Sequence, residues 1–311
     1  MADSLDQNIR DAVDLLLDEA HALDDLERAM PLYLRALALD PDRSSTHYNL
    51  GLVYKYRGAW SESLHHNRRA SELCPDDEAA HWNMGIAATA LRDWPAAREA
   101  WRRAGVAIED GEGPITADFG LAPVRLNPDG AAEVVWGRRI DPVRVVIQNV
   151  PSADSGFRAG DVVLHDGAPQ GQRQHGGRTY PVFNVLMLFE PSPNSTFEAE
   201  VRTRDAADLE ALTRALDEAQ VQHEVWTTTV RLLCKQCSEG TPHEHADDDK
   251  QQSLWPDSHL IGISTTNPEL AQQVLERWGA SAGGRQSRSI QRRAADRLLR
   301  FECVLAGGAV H

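Results

Sequence analysis

Four side chains that are able to bind a metal ion lie close together in one stretch of the sequence, LLCKQCSEGTPHEHADDDK. They are Cys234, Cys237, His243 and His245. Thiolates and imidazoles are ligands that zinc prefers, and two of each complete a tetrahedron. Because four protein ligands leave no open coordination position for water or substrate, the loop 234–245 is predicted to hold a structural zinc ion.

Other interpretations of this loop stay open at the level of sequence. It could be a solvated acidic loop with two unrelated thiols, because a run of aspartates follows the histidines. A catalytic zinc would require that one histidine is not a ligand and that Glu244 acts as general base. The sequence contains no His-Glu-x-x-His motif, phosphate-binding loop or dinucleotide fingerprint. These absences favour a protein that is not an enzyme over a zinc-dependent hydrolase.

The charge of the chain limits its expected partners. Its 311 residues carry a formal net charge of −15. A surface of that sign is repelled by the phosphate backbone and by anionic lipid, so nucleic acid and membrane are not expected partners. No apolar run approaches the ~18 residues that a spanning helix needs, and the first residues carry acid instead of a basic leader. The composition therefore predicts a cytoplasmic protein.

One basic segment departs from this overall charge. Six arginines occur in GGRQSRSIQRRAADRLLRF, namely Arg285, Arg288, Arg292, Arg293, Arg297 and Arg300. Such a cluster could contact nucleic acid, which makes a nucleic-acid-associated regulator a second alternative function. Aromatic residues are not interleaved with the arginines, so we expect instead that they neutralise acidic groups of the chain or of an acidic partner.

The first third of the chain, residues 1–110, contains an internal repeat of 34 residues with copies that begin near Arg10, Ser44 and Glu78. The middle copy, THYNLGLVYKYRGAWSESLHHNRRASELCPDD, is the clearest. Its characteristic positions are filled by Leu50, Gly51, Tyr54, Gly58, Ser63, Ala70 and Pro75. This pattern resembles the tetratricopeptide repeat (TPR) family over residues 10–110. The resemblance implies three helical hairpins, at 10–43, 44–77 and 78–111, that stack to bury a shared core.

In the family that this segment resembles, the first helix of each repeat lines a concave groove that binds a protein or peptide. Seven residues of the corresponding helices are expected to contact such a partner: Tyr48, Asn49, Leu52, Lys55, Trp82, Asn83 and Ile86. Asn49 and Asn83 could hold a peptide backbone or could serve only packing, and both roles stay open. Asp14 and Asp18 suit a cationic group, so a basic or mixed ligand is expected.

A change of composition near Gly111 marks the end of the repeats. The segment EDGEGPITADFGLAP is dense in Gly and Pro, which is typical of a linker. The apolar runs AEVVWGRRI, VRVVIQNV and DVVLHDG then predict a small β-rich domain, which together with the linker covers 111–195. The stretch GFRAGDVVLHDG resembles the hairpin of a PDZ-type or small-barrel domain. The Gly-rich peptide-binding loop of PDZ domains is not visible ahead of VRVVIQNV, so that role is not carried over.

Strand and helix patterns alternate in the last third, residues 196–311. TFEAEVRT, HEVWTTTVRLLC, HLIGISTT and a run near LLRFECVL predict strands, whereas DAADLEALTRALDEA and NPELAQQVLERWG predict helices. The order β-α-β, loop, β-α-β is typical of a ferredoxin-like α+β sandwich, with the Cys/His loop between its two middle strands. The first of these strands could instead finish the preceding β domain.

Together these observations predict a multidomain cytoplasmic adaptor. It combines an all-α repeat module, a small β-rich domain and an α+β domain with a structural zinc ion. Its expected activity is protein–protein recognition through the groove of the repeats.

Overall fold

The structure is a computed structural model that describes residues 2–23, 25–227 and 258–292. Of these residues, those up to Thr116 form one compact unit and those from Ala117 onward form another. The expected order of helical repeats followed by a β-rich region is present. Among the described residues, no helix is both long enough and apolar enough to cross a membrane.

Six helices build the first unit as three successive hairpins. The first helices of the hairpins are α1 (Ala2–His21), α3 (Ser44–Tyr56) and α5 (Glu78–Ala90). The second helices are α2 (Leu26–Leu39), α4 (Trp60–Leu73) and α6 (Trp94–Arg103). Each helix packs against the next along the chain, and α3 also contacts α5. The second helices begin at intervals of 34 residues, so the structure keeps the period of the sequence.

Turn residues determine where these helices begin and end. Asp25, Asp77 and Asp93 precede α2, α5 and α6, and the carboxylate of each accepts a hydrogen bond from backbone N–H groups of the first turn. Ala59 precedes α4 and offers no side-chain acceptor. Gly58, just before it, has a φ of 69°, a left-handed conformation that glycine adopts without steric cost. Of these four helix starts, that of α4 alone lacks a side-chain cap.

Small residues let the two helices of a hairpin approach closely. A Cβ placed on Gly51 would lie 2.4 Å from the side chain of Asn67, and one on Gly85 would lie 2.6 Å from the ring of Trp101. Favourable carbon contacts are ~3.5–4.0 Å, so neither position has room for a side chain. The glycines that mark the repeat in the sequence therefore have a steric cause.

Five strands form a closed barrel at the start of the second unit. They are β1 (Leu121–Leu126), β2 (Glu133–Arg139), β3 (Arg144–Ile147), β4 (Val162–His175) and β5 (Arg178–Glu190). Neighbouring strands are antiparallel, except that β1 and β5 close the barrel as a parallel pair. Val124, Val135 and Val163 are fully buried in its core. The fold agrees with the small-barrel interpretation of this region, and β4 extends well beyond the predicted run DVVLHDG.

Apart from a short 3-10 helix at Ala153–Ser155, the remaining described elements form a second sheet with two helices. They are β6 (Ser195–Arg202), α7 (Ala206–Glu218), β7 (Gln222–Val225), β8 (Ser258–Thr265), α8 (Pro268–Ala280), β9 (Gln286–Ser287) and β10 (Gln291–Arg292). The strand order is β10-β6-β8-β7 with antiparallel neighbours, and β9 also pairs with β6. The order β6-β8-β7 of the first three predicted strands is the one that a ferredoxin-like arrangement requires. The strand TFEAEVRT is β6, so it belongs to this sheet and not to the barrel.

Both helices pack on this sheet through one apolar core. Leu212 and Leu216 of α7 and Leu275 of α8 are fully buried together with Ile261 and Ile263 of β8. The predicted strand near LLRFECVL lies outside the described residues. In the described part of the chain, the edge beside β6 is formed by the short strands β9 and β10.

Side chains at β7 connect this sheet to the barrel within the second unit. The Glu224 carboxylate accepts hydrogen bonds from Val150 N at 3.0 Å and from Asn149 Nδ2 at 3.2 Å. The Trp226 indole N–H donates to Val150 O at 3.0 Å. A Cβ on Gly262 would lie 2.2 Å from the Trp226 ring, so this ring rests directly on the β8 backbone. These contacts partly cover β7, an edge strand whose backbone groups would otherwise be open to other chains.

Candidate partner-binding face

The seven predicted contact residues lie on α3 and α5, the first helices of the second and third hairpins. Together with three residues of α1 they define what we call the A-helix face. The A-helix face consists of Asp14, Leu15 and Asp18 of α1, of Tyr48, Asn49, Leu52 and Lys55 of α3, and of Trp82, Asn83 and Ile86 of α5. Members three or four residues apart on one helix share a side of that helix.

The α1 and α3 parts of the A-helix face are accessible to solvent. Leu15 is 69% exposed, and Asp18 is also exposed. Tyr48, Asn49 and Leu52 are half-buried, so each presents part of its side chain at the surface. Acidic, aromatic, amide and aliphatic groups are therefore available on these two helices.

The α5 part of the A-helix face is mostly buried. Ile86 is fully buried, and Asn83 is 6% exposed. Trp82 is half-buried, and its ring stands edge to face against Trp101 with centroids 5.1 Å apart. On α3, Lys55 is 3% exposed. In this conformation the predicted contact residues that reach solvent are the three half-buried residues of α3 and part of Trp82.

Two polar bridges join successive repeats at the A-helix face. Asn49 Nδ2 lies 3.1 Å from His21 Nε2, and Lys55 Nζ donates to Asn83 Oδ1 at 3.1 Å. Both bridges use the same two repeat positions, because Asn83 follows Asn49, and Lys55 follows His21, by the period of 34 residues. A peptide that used either amide would have to share or break a bridge, which has a free-energy cost. Sequence reasoning missed these bridges, although the same period aligns their members.

Histidines stabilise the turns between the hairpins. His47 Nε2 lies 3.0 Å from Pro41 O, and His81 Nε2 lies 2.8 Å from Pro75 O. A carbonyl only accepts, so both Nε2 atoms carry the proton, and His47 Nδ1 lies 3.0 Å from His66 Nδ1, within hydrogen-bond distance. Burial, and then the neighbouring His47, lower the pKa of His66 to about 4. The His66 ring is therefore neutral near pH 7, and the three rings have a structural role as hydrogen-bonding groups.

Surface ion pairs modify the charge of the A-helix face. Arg43 donates to Asp14 at 2.5 Å, and Arg57 pairs with Glu27 of α2. Exposed pairs of this kind contribute little to stability. Asp18 forms no ion pair with any other described residue. The acidic end of the face is therefore only partly neutralised by the protein itself.

The predicted metal ligands cannot be placed on this fold. Cys234, Cys237, His243 and His245, and the candidate base Glu244, all lie outside the described residues. Among the residues that are described, no group of three or more His, Cys, Asp or Glu side chains is arranged to hold a metal ion.

Two arginines of the basic segment bind carboxylates of the chain itself. Arg285 pairs with Asp208 at 2.7 Å, and Arg288 pairs with Glu200 at 2.7 Å. Arg204 also binds Asp208, and these guanidinium groups hold the pKa of that carboxyl well below its usual range. This part of the basic segment therefore neutralises local acidic groups.

Comparisons with known proteins identify a repeat family within the helical unit. A family model described as TPR repeat matches residues 18–56. One similar solved structure is the second TPR of Spaghetti (RPAP3) bound to the HSP90 peptide SRMEEVD, at 20% identity, with 32% of this chain and 95% of that chain covered and a TM-score of 0.31. Another is a hypothetical protein from Neisseria gonorrhoeae, at 15% identity, with 55% of this chain and 92% of that chain covered and a TM-score of 0.24. A comparison with curated proteins finds no match.

The matched residues extend from the last turn of α1 through α2 to the end of α3. They include the capped start of α2 and the glycine on α3 that contacts the opposite helix of its hairpin. Residues 18–56 of this chain are therefore a tetratricopeptide repeat segment.

Proposed function

We propose that this protein is an adaptor that binds a protein or peptide partner through its A-helix face. The observation that carries the proposal is the accessible surface of α1 and α3, where Leu15 is 69% exposed and Tyr48, Asn49 and Leu52 are half-buried. Aromatic residues are enriched where proteins bind one another, and apolar anchors beside polar groups supply both affinity and orientation. Helical repeats present such groups on rigid elements.

The partner that suits this surface is basic or mixed in charge. Asp11, Asp14 and Asp18 are all exposed and follow one side of α1. Arg43 compensates Asp14 through its ion pair. A ligand with a cationic side chain near Asp18 and an apolar side chain against Leu15 would match both the charge and the apolar surface, whereas an acidic ligand would be repelled.

A set of immobilised peptides tests this proposal with the full chain. Each peptide has a central apolar residue that is flanked by Lys, by Glu or by Ser. We expect the Lys-flanked peptides to bind and the Glu-flanked peptides not to bind. Leu15→Ser and Tyr48→Ala should each weaken binding by about tenfold or more, which is the effect of losing an interface anchor.

Leu34→Ala is the matched control, because it removes a 43% exposed leucine from α2, outside the A-helix face. Binding to this variant should equal that of the unmodified protein. The proposal is wrong if all three variants bind alike, or if the Glu-flanked peptides bind as well as the Lys-flanked ones.

We propose in addition that the loop 234–245 binds one structural zinc ion through Cys234, Cys237, His243 and His245. The support is the ligand set, two thiolates and two imidazoles, which suits tetrahedral zinc. The loop also belongs to the connection between β7 and β8, which are paired neighbours in the sheet. A metal that closes such a connection stabilises the fold, because its binding free energy is coupled to folding.

Elemental analysis and thermal melts test the zinc proposal. We expect about one zinc per chain in the unmodified protein and none in a Cys234→Ser/Cys237→Ser variant, which should also melt at a lower temperature. Cys74→Ser is the control, because Cys74 is a free, half-buried cysteine at the end of α4. It should retain the zinc. Absence of zinc from the unmodified protein would refute the site, and loss of zinc with unchanged melting would refute its structural role.

A further inference from the structure

The barrel closes along a short parallel seam between β1 and β5. Two residue pairs make up its register, Val124 with Phe183 and Arg125 with Asn184. A cavity of about 280 Å³ lies beside this seam, lined by residues 119–122, by β5 and by Arg139 of β2. Barrels commonly hold small ligands in hollows of this kind.

The cavity carries positive charge. Arg139 and Arg178 line it, and within the described part of the chain no acidic side chain does. Arg139 is half-buried, and its Nη2 donates to Phe119 O at 2.9 Å, whereas its Nε is buried without a hydrogen-bond partner. The adjacent carboxylate along the chain, Asp118, already pairs with Arg138. The cavity is therefore a cationic site in a chain whose net charge is −15.

A guanidinium group that is partly removed from water without a counter-ion is costly. Burial lowers the pKa of Arg139, which is the expected consequence of that cost. A bound carboxylate would offset it, because hydrogen bonds between guanidinium and carboxylate are short and strong.

Aromatic rings form much of the remaining wall, from Phe119, Tyr180 and Phe183. The Phe183 ring stacks on His165 with centroids 4.7 Å apart, and the Tyr180 ring stands edge to face against Trp136 at 5.3 Å. Each of these two rings is therefore braced by a second ring. Walls held in this way are preorganised, which lowers the entropic cost of binding.

We propose that this cavity binds a small organic carboxylate, with the carboxylate at Arg139 and Arg178 and an apolar body against Phe119 and Phe183. Its volume lies near the lower end of ligand cavities, so the ligand is smaller than a typical drug molecule. Inorganic phosphate would satisfy the guanidinium groups but would leave the aromatic walls uncovered. This site does not depend on the A-helix face and stands or falls separately from the adaptor proposal.

Isothermal titration calorimetry of the full chain tests the proposal with four probes: benzoate, acetate, inorganic phosphate and benzamide. Benzoate has both the charge and the apolar body. Acetate and phosphate lack the body, and benzamide lacks the charge. We expect benzoate to bind most tightly and each other probe to bind about tenfold more weakly or worse, a difference of ~1.4 kcal/mol or more.

Variants locate the binding site. Arg139→Gln should weaken benzoate binding by about tenfold or more, and Arg138→Gln, which changes the exposed neighbour on the same strand, should leave it unchanged. If a melt shows that Arg139→Gln is not folded, Arg178→Gln replaces it, because Arg178 is exposed and also lines the cavity. No benzoate binding, equal binding of phosphate and benzoate, or equal losses in the cavity and control variants would each overturn the proposal.

Discussion

The contact between Gly85 and Trp101 predicts that a single added methyl group destabilises the helical unit. A Cβ at Gly85 would lie 2.6 Å from Cη2 and Cζ3 of the Trp101 ring and 2.7 Å from its Cε3. Trp101 is fully buried, so the ring cannot move into solvent to relieve the clash. Gly85→Ala therefore forces the α5–α6 hairpin to open or the ring to leave its packed position.

The net effect of Gly85→Ala combines two opposing contributions. Overpacking of a well-packed core costs typically ~1–3 kcal/mol, and three ring atoms closer than 3.0 Å place this site near the upper end. Replacing glycine by alanine within a helix contributes about 1 kcal/mol in the opposite direction. We therefore expect a net loss of about 2 kcal/mol, which corresponds to a fall of roughly 10 °C in the melting temperature of a domain of this size.

Circular dichroism at the helical signal, with thermal and urea melts of the full chain, measures this loss. The same substitution is then made in a Trp101→Leu background, where the smaller side chain removes the clash. There we expect Gly85→Ala to stabilise by about 1 kcal/mol, because only the helix preference remains. Gly113→Ala is the control, since a Cβ there meets no atom within 4 Å. A penalty that persists unchanged in the Trp101→Leu background, or a stabilising effect while Trp101 is present, would refute the steric argument.

Two further predictions concern helix capping and acid stability. Ala59→Asp should stabilise the protein by about 1 kcal/mol in a urea melt, because it supplies the cap that Asp25 and Asp93 provide at the equivalent helix starts. If stability does not increase, the new carboxylate does not reach the first turn of α4. Burial lowers the pKa of His165 to about 4, below the ~6.5 of an unfolded chain, so the unfolded state binds more protons and stability falls as the pH drops from 6.5 towards 4. The expected loss of unfolding free energy at pH 5 is about 2 kcal/mol. Urea melts at pH 7 and pH 5 should show a smaller loss in His165→Asn. The control His175→Asn, which changes an exposed histidine, should show the full loss.

The helical repeats were recognisable because several independent positions report the same period. Gly51 and Gly85 are small for one steric reason, and the residues they face lie at a fixed distance further along the chain. Three strands of the barrel and the longer elements of the second sheet were also predicted, since their apolar residues follow the period of a half-buried strand or an amphipathic helix. The strands β2, β3, β6 and β8 lie close to where the apolar runs place them.

The sequence reasoning missed two apolar strands, β1, whose first residues were assigned to the linker, and β5. The other missed elements carry little apolar signal. The distal part of the β4–β5 hairpin, residues 170–180, is exposed or half-buried on both faces, so its side chains do not alternate between apolar and polar. The strands β9 and β10 are two residues each and consist of Gln, Ser and Arg. Their pairing with β6 depends on the position of the sheet edge and not on their own composition.

The sequence by itself determined the repeat period, the succession of helical repeats and β-rich segments, and the sign of the overall charge, because these properties depend on residue types at local spacings. Tertiary structure alone decided that Ile86 is buried, that Lys55 bridges to Asn83, and that Arg139 faces a cavity beside Phe183. Each of these outcomes depends on which surfaces meet when distant elements pack. Packing of that kind is a property of the closed fold, and local periodicity carries no information about it.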